Sequence, residues 1–178
     1  RKYSREEYLE TIAEARRILP ELALTTDIIV GFPGETDDDF EETLSLMAVV
    51  RYDAAYVFKY SMRPGTPAEK LEARDAVDPD VRQQRLERVN ALQARISHEK
   101  NQPLIGRVQE VLVEGLNKKD GYLLAKTRTN KTLIFAGETA LVGRLVEARV
   151  TDAHGLTLRG DFVRDVTPAL ALPVAMVH

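Results

Sequence analysis

The sequence predicts two folds in series: an α/β layer over residues 1–102 and a small closed antiparallel β-barrel over 103–166, with 167–178 as an Ala/Pro-rich tail. Three observations lead there. Apolar residues recur at helical spacing before Pro103 and mostly at spacing two after it. A strand, a helix and a second strand follow one another between Leu22 and Tyr60, the pattern of a βαβ unit with parallel strands. Beyond Ile105, five short strand-like runs are separated by turn residues, as in a small barrel.

The first helix is expected from about Arg5 to Leu19. Ser4 and Glu7 form a capping box, Tyr8, Ile12, Ala15 and Leu19 share a face, and Pro20 stops it. Leu22 to Val30 is rich in β-branched residues, breaks at Gly31-Phe-Pro-Gly, and reads as a buried strand. Thr36 caps the next helix, whose first turn, Asp37 to Asp39, complements the positive end of the helix dipole; its core face is Phe40, Leu44, Met47 and Ala48. Ala54 to Tyr60 is the second strand, and residues 62–77 read as a long loop around Arg63-Pro-Gly-Thr-Pro. Asp78 and Pro79 open a last helix with Val81, Leu86, Val89, Leu92 and Ile96 on one face. Two parallel strands do not make a complete sheet, so this reads as the end of an α/β layer. The barrel strands are expected at 108–114, 122–128, 132–135, 145–151 and 156–160.

Composition narrows the chemistry. The 178 residues contain no Cys and three His, with a net charge of −3. That excludes a disulfide framework, a thiolate zinc site, a thiol nucleophile and a cysteine-held cluster within these residues. His98, His154 and His178 are far apart and show no metal spacing, so no metal site is expected. No apolar run approaches the roughly 18–20 residues of a membrane span. The opening at Arg1, without Met or a signal peptide, suggests a piece of a longer cytoplasmic polypeptide. Charge is uneven: residues 1–102 hold 15 basic and 20 acidic side chains, the remainder 10 and 8.

The most informative stretch is Thr26 to Thr36, which puts Gly31 and Gly34 at the carboxyl end of a parallel strand, where α/β folds bind ligands. Phosphate is disfavoured, because no Lys or Arg lies between Leu19 and Arg51 and the run Glu35 to Asp39 repels anions. Two readings stay open: a turn that merely needs Gly and Pro, or backbone contact to a neutral or cationic nucleoside. Lys59 and Arg63 follow the second strand, Arg63 on a stiff turn suited to a carboxylate or phosphate, or else paired with an acid such as Glu35. In the barrel, Lys126, Arg128 and Asn130 alternate along one strand face with Tyr122, and Lys118, Lys119 and Lys131 are near. Cations beside an aromatic ring suit single-stranded RNA; a solvated polar face is the plain alternative.

At Leu24–Phe40, Phe58–Pro67, Arg85–Gly106, Val111–Gly115 and Thr127–Phe135 the sequence resembles the tRNA methylthiotransferases of the radical S-adenosylmethionine superfamily, in the branch that makes 2-methylthio-N6-dimethylallyladenosine. The resemblance implies an N-terminal cluster-binding domain, a central radical domain built as a TIM-like α/β barrel, and a C-terminal RNA-binding TRAM domain, an OB-like barrel. Residues 1–102 then match the end of the radical domain and 103–166 the TRAM domain. Ile29, Gly31, Glu35 and Phe58 would contribute to S-adenosylmethionine binding, and Lys59 and Arg63 would lie on the substrate side of the barrel mouth. Lys118, Lys119, Tyr122, Lys126, Arg128, Asn130 and Lys131 would bind RNA. The family's two 4Fe–4S clusters use six cysteines, none of which is here, so the chain is expected to be inactive alone and to have no catalytic residue of its own. The implied reaction adds a methylthio group to C2 of N6-isopentenyladenosine beside the anticodon, with an electron donor and the N-terminal portion of the same polypeptide as partners. Rivals are the sister enzymes acting on an aspartate of ribosomal protein S12 or on threonylcarbamoyladenosine and, in another class, a non-catalytic RNA-binding fragment.

Overall fold

Ser4 starts the first helix by accepting from the Glu7 backbone N–H, while Glu7 Oε2 accepts from the Ser4 N–H at 2.7 Å. The computed structural model describes residues 3–168, and the chain divides after Pro103 into two units. The first contains α1 (Arg5–Ile18), β1 (Thr25–Val30), α2 (Asp37–Val50), β2 (Ala54–Lys59), α3 (Pro67–Asp75) and α4 (Pro79–Asn101). No residue of α1 is fully buried; Tyr8, Leu9 and Ile12 lie half-covered against the core, while Leu19 is past the helix end and exposed.

β1 and β2 pair in parallel from Thr25↔Ala54 to Val30↔Lys59, as the βαβ pattern predicts. Their alternation gives the pair two faces. Ile28, Val30, Ala55 and Val57 pack on Phe40, Met47, Val50 and Val89 from α2 and α4. Asp27, Ile29, Tyr56 and Phe58 point the other way and are exposed. The expected buried strand over 22–30 is thus shorter and covered on one face only. Ala48, expected in the core, is likewise exposed, whereas Val50, not expected there, is buried.

The loop expected over 62–77 contains α3. Its turn residues end at Thr66, which occupies the cap position, and Pro67 stands where a helix tolerates a missing N–H; Ala68 to Arg74 are mostly strong helix formers. α4 begins as expected, with Asp78 accepting from the Asp80 N–H at 2.8 Å. Its buried stripe is mixed: Arg85, Gln93, Ser97 and Asn101 share it with Val89 and Ile96.

The second unit is a closed barrel of β3 (Val108–Leu116), β4 (Tyr122–Thr127), β5 (Thr132–Ala136), β6 (Leu145–His154) and β7 (Thr157–Asp165) in the order β3-β4-β5-β7-β6. Four neighbouring pairs are antiparallel, but β5 and β7 run parallel from Thr132↔Thr157 to Phe135↔Gly160. The small closed barrel expected from the sequence is thus present, antiparallel at four of its five seams; the fifth is parallel because directions cannot alternate all the way around a ring of five strands. Inward residues fill the interior, with Val113, Leu123, Leu133, Phe135, Val146 and Leu158 fully buried. Gly160 marks a close approach, since a β-carbon there would lie 2.5 Å from the Arg149 carbonyl oxygen.

Of the expected tail, residues 169–178 lie outside the described residues, including His178. Thr167 is tied to β6, its Oγ1 accepting from the Leu145 N–H at 3.0 Å. Among the described residues no helix is long and apolar enough to cross a membrane.

Candidate cofactor face and nucleic-acid interface

The parallel pair brings Ile29 and Phe58 side by side, as register partners on its open face. Both are more than half exposed, at 56% and 54%. They line a concavity of about 620 Å³ with Asp27, Phe32, Tyr60 and Arg63. Lys59 borders it too, its Nζ donating to Gln83 Oε1 at 3.0 Å. The Arg63 guanidinium has no hydrogen-bond or ion-pair partner among the described residues, so the pairing with Glu35 left open by the sequence is not made. The buried Tyr60 hydroxyl also has no hydrogen-bond partner, while its ring meets Phe32 edge-on at 5.2 Å. An apolar wall, one carboxylate and a free guanidinium at the carboxyl ends of parallel strands fit a heterocycle with a charged tail.

Gly31 and Glu35 are spent inside the turn. Gly31 has φ +70°, and its N–H donates to Glu35 Oε2 at 2.6 Å. A β-carbon at Gly31 would stand 2.3 Å from Arg82 Cγ, so its bareness accommodates α4. Arg85 clamps the same turn: Nη1 donates to Glu35 Oε2 at 2.7 Å and to the Glu35 carbonyl at 3.0 Å, and Nη2 to Asp37 Oδ1 at 2.7 Å. The Arg85 side chain is 6% exposed and that of Glu35 12%, so the pair is largely withdrawn from water. Beside it, Arg82 holds Glu72 with two bonds of 2.7 and 2.8 Å and lies 5.5 Å from the Tyr60 ring centre. Arg82 and Arg85 are not among the site residues expected from the sequence. Their signal was positional: Arg85 stands one turn before Val89 on the apolar stripe of α4, where an unpaired cation would be costly.

The barrel residues divide. Tyr122 and Lys126 do share an outward face, with Leu124 between them. Arg128 and Asn130 lie past the end of β4, in the turn to β5, with Asn130 at φ +58°; the single alternating face expected for all four is corrected to a strand face plus a turn. Arg128 pairs with Glu110 at 2.6 Å, and Lys126 Nζ donates to Thr132 Oγ1 at 2.9 Å. Lys119 Nζ sits 4.4 Å from the Tyr122 ring centre, a cation–π contact. Lys118 is exposed on the same turn, and the Lys131 backbone N–H donates to Thr127 Oγ1 at 3.0 Å. His98 and His154 are exposed, and among the described residues no group of three metal-ligating side chains occurs.

Comparison with known proteins agrees with this division. The radical SAM superfamily model matches residues 1–47 and the TRAM domain model residues 102–163. A Thermoanaerobacter sp. protein, named tRNA-2-methylthio-N(6)-dimethylallyladenosine synthase, is 49% identical over 92% of this chain and 34% of its own length. Its namesake in Geobacillus thermodenitrificans is 49% identical over 93% of the chain and 31% of its own length, and that of Clostridium botulinum 46% over 90% and 36%. The chain spans about a third of the length of these relatives. The identity runs through both units, with the two models in order along it, so the chain is a radical SAM segment followed by a TRAM domain, similar across both to the synthases of that name.

Proposed function

We propose that this chain forms part of a methylthiotransferase that modifies C2 of N6-isopentenyladenosine in the tRNA anticodon arm. The observation that carries the reading is the 49% identity sustained across 92% of the chain with a synthase of that name. Residues 1–102 supply the end of the radical domain, 103–166 the RNA grip, and the rest of a longer polypeptide the cluster-binding cysteines that this sequence lacks. The open face of β1 and β2 fits the cofactor: Ile29 and Phe58 are exposed apolar neighbours that would pack on the adenine of S-adenosylmethionine. Gly31 and Glu35 support that face from behind, through the Arg85 clamp, rather than touching the ligand. Arg63 stands free at the edge of the concavity for the substrate side. When bound, S-adenosylmethionine supplies the methyl group and, with the clusters and an electron donor, the radical chemistry. The residues of this chain bind and orient.

Mass spectrometry of tRNA nucleosides from cells lacking the full-length parent tests the substrate. Loss of the methylthio-isopentenyl nucleoside with accumulation of its unthiolated precursor is expected; an unchanged nucleoside profile sinks the assignment. The isolated chain, reconstituted with iron and sulfide, should hold no cluster and leave S-adenosylmethionine uncleaved. On the barrel, replacing Lys119 and Lys126 by Gln should weaken binding of anticodon-arm RNA and lower the slope of affinity against salt by roughly 1–2. Unchanged binding by that variant would remove these side chains from the interface.

A further inference from the structure

The outer face of the barrel contains a concavity of about 350 Å³ to which β4, β5 and β7 each contribute. Register explains how distant residues meet there. Tyr122 on β4 faces Ala136 on β5, and Ile134 on β5 faces both Leu124 on β4 and Arg159 on β7. Two residues beyond Arg159, on the same side of the strand, stands Asp161. Ile134 and Ala136 form an apolar floor. Tyr122 walls one side, with Lys119 over its ring, and Arg159 and Asp161 stand on the other.

Arg159 and Asp161 are not used by the fold. Neither side chain has a hydrogen bond or ion pair among the described residues, although almost every other Arg of the barrel is engaged: Arg128 with Glu110, Arg144 with Asp165, Arg149 with the Gly106 carbonyl and Arg164 with Glu147. A free cation and a free carboxylate, side by side across a flat apolar floor from an aromatic ring, have the makings of a base pocket. The ring offers stacking to any base, and the two charges read an edge.

Which base they read follows from elementary chemistry. An ionised carboxylate accepts only, so it favours an edge that presents two adjacent donors. On their pairing edges cytosine and adenine offer one donor beside an acceptor, and uracil one donor between two acceptors, which repel a carboxylate. Guanine alone offers N1–H and the N2 amine together, with O6 next to them as acceptor for a cation. We infer that this concavity is a pocket for one unpaired guanine of single-stranded RNA, stacked on Tyr122, with Asp161 accepting from N1–H and N2–H and Arg159 donating to O6. The inference rests on the RNA-binding reading and adds a base preference to it.

The test uses the whole chain and fluorescent RNA hexamers, an all-uridine parent and three variants holding a single G, A or C at one central position. The guanine oligomer should bind on the order of tenfold tighter than the others, the discrimination of one bidentate contact. Asp161→Asn should erase that preference while leaving the salt-dependent binding of the all-uridine hexamer in place, and Tyr122→Leu should weaken all four oligomers together. Equal affinities for the four hexamers, or a guanine preference that survives Asp161→Asn, would overturn the pocket while leaving RNA binding intact. If none of the hexamers binds at any salt concentration, the RNA-binding reading falls, and the pocket with it.

Discussion

In the barrel, alternate residues of all five strands converge on one interior, and Val113, Leu123, Leu133 and Phe135 are fully buried there. In the α/β unit the strands alternate as regularly, yet only one face is covered: Ile29, Tyr56 and Phe58 on the other are 56%, 55% and 54% exposed. A closed ring satisfies both edges of every strand and buries one complete face. A two-stranded parallel pair leaves a second apolar face uncovered, and parallel strands are normally buried on both. The difference teaches where to look for function. Apolar residues inside the barrel are structural, whereas equally apolar residues on the open sheet are available to a cofactor or to further strands of a longer polypeptide.

The sharpest way to break this comparison is to truncate one phenylalanine in each unit. Phe135→Ala should cost about 3–5 kcal/mol, as other buried aromatic truncations do. Phe58→Ala, on the open face, should change the stability of the isolated chain by less than about 1 kcal/mol. Urea denaturation of both variants, followed by circular dichroism, checks this. Equal losses would mean that Phe58 is buried in solution, and the open face would then be no ligand surface.

Removing the Arg85 clamp should have the next largest effect. Arg85→Gln leaves the Glu35 carboxylate largely buried without its cation, at a cost of about 3 kcal/mol. The second arm contributes less, because Asp37 is 93% exposed. If the clamp only positions the turn, hydrogen exchange should quicken at Gly31, whose N–H donates to Glu35, while barrel amides such as Val113 stay protected. Faster exchange throughout both units would show that the clamp holds more than its own turn.

Much of this was legible in the sequence because the signals were local. Ser4 with Glu7, Thr36 ahead of the acidic run Asp37 to Asp39, and Asp78 with Pro79 mark three helix starts that the structure reproduces. The βαβ order and the five barrel strands came from periodicity. What escaped depends on contacts distant in sequence. Glu35 and Arg85 are 50 positions apart, and nothing around Gly31 indicated that α4 would fill the space beside it. α3 is hidden because the residues from Arg63 to Pro67 carry turn signals that predict a loop, although Pro67 starts the helix. The parallel closure of β5 on β7 is visible in no single strand; it follows only once five strands are known to close.

The smallest expected effect lies in the acid range and contrasts an exposed clasp with the buried clamp. Asp165 ends β7, and hydrogen bonds from the Thr167 side chain and backbone, together with Arg144, hold its carboxyl down to about 2 from the ordinary 3.8. A depressed carboxyl pKa stabilises the fold above the ordinary value, and that contribution is lost as pH falls through the folded one. The window is therefore between roughly pH 4 and pH 2, and the effect is small because the clasp is solvent-screened. Carboxyl-detected NMR should find the Asp165 midpoint near 2 in the intact chain. Thr167→Ala removes the side-chain bond, the largest cause, and should move the midpoint toward the ordinary value while Arg144 still holds it below. A midpoint that stays put would assign the depression to the backbone N–H of residue 167 and to Arg144. In that case the barrel end would be fastened by an ion pair and a backbone bond, as the turn after β1 is, and the contrast between clasp and clamp would reduce to burial.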